Sequence, residues 1–112
     1  MKMLQKICFV LLLGTFSSVY GGDCFDEVSD IDDCRVKAEQ GDSVAQFNLG
    51  LMYIQTKGVI QDFVMAHMYF NIAAVSGYKD AIKNRGLVEV LMTPSQIAEA
   101  QKLAREWMRT HQ

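Results

Sequence analysis

Ser76-Gly77-Tyr78-Lys79 is the run in this chain whose residue types and spacing match a known nucleophile arrangement. A serine that opens a helix, with a lysine three positions on, sets an amine beside a hydroxyl and suits acyl transfer. The companion Ser-Asp-Asn and Lys-Thr-Gly runs are absent, and Ser76 falls where a turn is expected, so the run reads as a coincidence of that turn. His67 has no acid or cysteine three or four positions away to form a ligand pair or a base dyad. It reads as a partly exposed helix residue, and His111 as part of the tail. Eight acids (Asp23, Asp26, Glu27, Asp30, Asp32, Asp33, Glu39, Asp42) crowd one end against Arg35 and Lys37. They lack the D-x-D-x-D-G spacing of a calcium loop and read as a solvated cap over the first helix. With no Cys-x-x-Cys, a zinc site is not expected either. The expected list of catalytic, metal and cofactor residues is therefore empty.

What remains is a question of scaffold. The chain has 112 residues, enough for one domain. Half its residues are hydrophobic, which argues against disorder, and the net charge of −2 argues against a nucleic-acid partner. Lys2 and Lys6 precede the apolar run ICFVLLL (7–13), and small residues follow. That is the layout of a secretory signal peptide over 1–21, cleaved after Gly21, with an uncleaved anchor as the alternative. The run is too short to span a bilayer, so no stable membrane span is expected after cleavage. Export to the periplasm or the medium follows, and an exported chain left with Cys24 and Cys34 is expected to pair them; two free buried thiols are the alternative. The loop so closed would contribute about 3 kcal/mol in the chain-entropy model.

Apolar residues recur three and four apart, and no stretch alternates cleanly, so the expected fold is all-α with about five helices. The first lies within 29–40 and stops at Gly41. The second covers 43–54, capped by Asp42 and buried through Ala45, Leu49, Met52 and Tyr53. The third, capped by Asp62, runs to 76 on the stripe Phe63, Ala66, Phe70, Ala73 and Ala74, and Gly77 ends it. The fourth covers 79–91, weakened by Gly86. Thr93-Pro94-Ser95-Gln96 is a capping box with proline at N1 and opens a last helix to 108, with Ile97, Ala100, Ala104 and Trp107 inward.

An offset of 36 residues superposes Ala38 on Ala74, Gly41 on Gly77, Ala45 on Ala81, Asn48 on Asn84, Gly50 on Gly86 and Leu51 on Leu87. Periods in the thirties with small residues at fixed places mark helical-hairpin arrays, because closely crossing helices need Ala or Gly at the contact. The stretch AEQGDSVAQFNLGLMYIQTKGVIQDFVMAHMYFNIAAVSGYKDA (38–81) resembles a Sel-one-like repeat, a relative of the tetratricopeptide repeat. The matching positions are Ala38, Gly41, Asp42, Ala45, Gln46, Leu49, Gly50, Tyr53, Gly58, Val59, Asp62, Ala66, Ala73, Ala74 and Gly77. The tail 92–107 resembles the helix that closes such arrays. The resemblance implies a short α/α-hairpin solenoid with a right-handed superhelix. Residues 22–37 would form a disulfide-bearing cap, 38–73 one full repeat, and 74–112 a degenerate second repeat with a capping helix. Arg85, where the offset calls for the partner of Leu49, marks the degeneration.

The resemblance also implies function by shape: an exported, non-enzymatic adaptor or regulatory module in the bacterial envelope, gripping another protein or peptide. Asn48, Leu51 and Gln55 lie off the buried stripe and are the expected contacts. Self-association is expected to be weak or nil. The alternatives are a secreted host-interaction factor and, because some cysteine-rich members of the resembled family are associated with β-lactams, a weak β-lactam-binding or hydrolysing enzyme that would use Ser76 and Lys79. The pairing of Cys24 with Cys34 predicts that the secreted chain runs faster on a non-reducing gel than on a reducing one, and that Cys34→Ser abolishes the difference.

Overall fold

Short polar side chains and glycines punctuate the chain, and the helices form between them. The computed structural model describes residues 24, 31–56 and 60–111. It comprises five helices: α1 (Ile31–Glu39), α2 (Ser43–Gln55), α3 (Phe63–Val75), α4 (Lys79–Glu89) and α5 (Pro94–Thr110). No strand occurs among the described residues, so the fold is all-α. Asp42 caps α2, its Oδ1 accepting the N–H groups of Val44 at 2.9 Å and Ala45 at 3.2 Å. Asp62 caps α3 through Met65 at 3.1 Å. Thr93 and Gln96 exchange both bonds of a capping box at the start of α5. The ends of α2, α3, α4 and α5 differ from the expected ones by one or two residues, since the last turn of a helix is not fixed by side-chain pattern. Gly58 and Val59, and the expected leader 1–21, lie outside the described residues.

Helices α1 and α3 end in the same way. Gly41 adopts φ +95° and Gly77 φ +86°, a left-handed turn that costs glycine little. At the first, Asp42 N–H reaches back to Lys37 O and Gly41 N–H to Ala38 O; at the second, Tyr78 N–H bonds Ala73 O and Gly77 N–H bonds Ala74 O. Both are Schellman motifs, and each frees the next residue to start a new helix at once.

Packing is organised on α3. Its sequence is apolar on nearly every side, and Ala66, His67, Met68, Tyr69, Phe70, Ile72 and Ala73 are all buried. Helices α2, α4 and α5 each pack against it, and α1 packs on α2. Helix α2 runs antiparallel to α3: Tyr53, towards the end of α2, stacks on Tyr69 at 6.0 Å, while Phe47, nearer its start, contacts Phe70 at 5.6 Å and Tyr78 beyond the end of α3 at 5.0 Å. The closest approach is at Gly50, where a Cβ would fall less than 3.0 Å from three ring atoms of Phe70. Ala100 and Ala104, four apart and fully buried, let α5 close on the core in the same way. The Sγ atoms of Cys24 and Cys34 stand at disulfide distance with Cα atoms 5.3 Å apart, both fully buried. The bond ties Cys24 to α1.

Residues 36 apart share surroundings at some positions and differ at others. Ala45 and Ala81 are both fully buried, and Gly41 and Gly77 share their turn. Gly50 is pressed by Phe70, whereas its counterpart Gly86 has nothing within 4 Å of a Cβ, and Leu87 is 58% exposed. A paired substitution reads this difference. Gly50→Ala must displace a fully buried ring and is expected to destabilise by about 2 kcal/mol or more. Gly86→Ala, in open space on a helix, is expected to stabilise by up to about 1 kcal/mol. Urea-denaturation midpoints of the two variants measure both.

Candidate functional site

Four helices contribute to one cleft of about 160 Å³, lined by Glu39, Gln40 and Gly41 at the end of α1, Gln46 of α2, Ile72, Val75 and Ser76 at the end of α3, and Trp107, Met108 and His111 at the end of α5. The Schellman turn at Gly41 delivers α2 to this position, and the length of α5, two residues beyond expectation, brings Trp107 and His111 across to α1. Gln46 is 1% exposed; its Nε2 donates to Ala38 O at 3.1 Å, and its Oε1 has no hydrogen-bond partner.

The polar groups at the mouth are closely joined. Glu39 Oε2 accepts from Trp107 Nε1 at 3.2 Å, and Glu39 Oε1 lies 2.5 Å from His111 Nε2. His111 Nδ1 lies 2.6 Å from Trp107 O, and its ring stacks on the indole with centroids 3.8 Å apart and planes 6° from parallel. The hydrogen bond from His111 holds the Glu39 carboxyl below its usual range, and the bond to Glu39 raises His111 above the usual histidine range. His111 is thus a built part of the mouth and not a loose tail. Serine, imidazole and carboxylate share this cleft; both ring nitrogens of His111 are engaged, Nε2 with Glu39 and Nδ1 with Trp107 O and, at 3.0 Å, Thr110 Oγ1. Ser76 closes α3 and Lys79 opens α4 beyond Gly77, so the serine does not stand at a helix start with the lysine one turn along the same helix.

His67 is the main correction to the sequence reading. It is fully buried, not partly exposed, and its Nε2 lies 2.7 Å from Glu89 Oε2 on α4. The partner is 22 positions away, so no search at helical spacing could find it. Arg85 likewise finds a use: its Nη1 donates to Asn71 Oδ1 at 2.7 Å, a second polar tie between α3 and α4. Near α1, Arg35 donates to the Tyr53 hydroxyl at 3.2 Å. Burial pushes the Tyr69 phenol, stacked on Tyr53, up to about 12.

The expected contact residues separate. Asn48 is 7% exposed, and its Nδ2 lies 3.9 Å from Cys24 Sγ; the helical phase that predicted its exposure took no account of Cys24 lying on that side of α2. Leu51 is half-buried against the core, and Gln55 is exposed. A second surface was not anticipated. Ile82, Leu87, Val90 and Leu91, on α4 and the turn after it, are 46–82% exposed around the open Gly86.

Among the described residues, no three His, Cys, Asp or Glu side chains gather to hold a metal ion, and no helix is long and apolar enough to cross a membrane. No protein-family model matches this chain, and no curated protein matches it.

Glu89→Ala would leave a buried imidazole nitrogen with no partner, a loss of about 1–3 kcal/mol. The double variant Glu89→Ala with His67→Phe is expected to lose less than Glu89→Ala alone, and thermal-unfolding midpoints of the pair check both statements.

Proposed function

We propose that this protein is an exported, non-enzymatic interaction module of the Sel-one-like repeat type, whose role is to hold another protein or peptide. The observation that carries the reading is the group of exposed aliphatic side chains on α4 and the turn after it. Folded chains rarely leave a contiguous row of large aliphatic side chains in water unless something covers it. Ile82 and Leu87 on α4, and Val90 and Leu91 in the turn after it, are four such side chains, 46–82% exposed. On α2, the superposed glycine receives Phe70 of the following helix; on α4, the superposed Gly86 is open. An apolar helix of a partner is the natural complement.

The paired Schellman turns at Gly41 and Gly77 and the buried Ala45 and Ala81 support the repeat reading. The Cys24–Cys34 pair supports export, since such bonds persist in oxidising compartments. Leu51 and Gln55, of the contacts expected on α2, keep surface available for the same role.

A photo-crosslinking residue placed at Leu87 in the producing cell is expected to capture a defined partner, and one placed at the exposed Glu99 on α5 is not; mass spectrometry of the products decides. Leu87→Glu in a chain crosslinked from position 91 is expected to abolish capture while leaving the fold intact by circular dichroism. Turnover of a substrate such as nitrocefin by the purified chain, lost on Ser76→Ala, would overturn the reading.

A further inference from the structure

We propose that His111 and Glu39 form a pH-gated clasp that joins the last helix to the first across the cleft, closed while His111 carries both ring protons and released when one is lost. The inference is independent of what binds α4. Its basis is the hydrogen-bond geometry. Nε2 faces a carboxylate oxygen at 2.5 Å and Nδ1 faces a backbone carbonyl at 2.6 Å. Thr110 Oγ1 also lies 3.0 Å from Nδ1 and can donate or accept, but the two shorter contacts are to oxygens with no hydrogen to offer, and only the imidazolium has two N–H groups to donate to both. A neutral ring would set a lone pair against one of the two oxygens. The clasp cannot therefore stay as it is through deprotonation; one bond becomes a repulsion.

The surroundings leave the gate to these two groups. Facing His111 across the cleft are Glu39 of α1, Gln46 of α2, and Ile72, Val75 and Ser76 of α3, with Trp107 and Met108 on its own helix; Glu39 is the one charged side chain among them. The stacked indole adds a preference for the cationic ring, since an aromatic face attracts a cation. Helices α1 and α5 do not pack along their lengths, and these bonds, spanning up to 72 positions, join the end of α5 directly to the end of α1.

The direction of the pH effect follows from the two shifts. His111 is raised in the folded chain, so its stabilising effect is complete below the ordinary histidine value of 6.5 and is lost as pH rises through the folded value. Glu39 is lowered, so its effect is complete above the ordinary value of 4.5 and is lost as pH falls through the folded value. The clasp holds between these limits, through mildly acid conditions, and opens on the alkaline side.

Trp107 is the only tryptophan of the chain, so its emission reads the clasp directly. A protonated imidazole stacked on indole quenches it. Titrating the full chain from mildly acid to mildly alkaline pH is expected to raise the emission in one step, with a midpoint above the ordinary histidine value. Glu39→Gln is expected to move that midpoint downward, and His111→Gln to remove the step, while the far-ultraviolet circular dichroism of both variants stays that of the parent. Amide exchange at 107–110 is expected to quicken above the midpoint in the parent and to be fast at every pH in His111→Gln. Emission that does not change with pH, or a midpoint that Glu39→Gln leaves in place, would overturn the proposal.

Discussion

The missing side chain at Gly50 is the constraint from which the rest of the structure follows. It lets the Phe70 ring lie against the backbone of α2, and with it the whole of α3 comes close enough to be covered. A helix as apolar as α3 cannot present a polar stripe to water, so it must be enclosed by neighbours. Helix α2 covers one side through Gly50 and its aromatic pairs, α5 another through Ala100 and Ala104, and α4 a third through Ala81 and Val88. Small residues recur at these contacts because dispersion between two helices falls steeply with separation, and a single extra methyl group at the crossing forfeits much of it.

Enclosure of α3 leaves the periphery under-packed, and polar ties are found there. His67–Glu89 and Arg85–Asn71 fasten α4, which has a single helix as its neighbour. The Cys24–Cys34 pair and the Arg35–Tyr53 bond fasten α1, whose main packing neighbour is α2. Glu39, Trp107 and His111 draw the far end of α5 back to α1. These ties differ in what disturbs them. A disulfide answers to redox conditions, a buried imidazole–carboxylate pair to the loss of either partner, and an exposed one to pH. The cleft and the exposed aliphatic side chains on and after α4, where we propose that the chain responds and binds, are both on this periphery.

Much of the fold is legible in the sequence. Asp42, Asp62 and the Thr93–Gln96 box mark helix starts, and Gly41 and Gly77 mark helix ends, because capping is settled within a few residues along the chain. The stripes through Ala45, Leu49 and Phe70 identify buried faces because the helical period does so without knowledge of the partner. The cleft is much less legible. Glu39 reads as one acid in a cluster, Trp107 as a plug for the core, and His111 as a tail residue; nothing in their local spacing joins positions 72 apart. Asn48 reads as exposed because Cys24, which lies against it, is outside its own helix.

The division has a physical cause. Helix type, helix limits and the apolar side of each helix depend on interactions a few residues long, so the sequence determines them by itself. The burial of His67, the stranding of Leu87 and Val90 in water, and the assembly of Glu39, Trp107 and His111 depend on which helices become neighbours. That choice is made by the shapes of whole helix faces, and only the tertiary structure decides it.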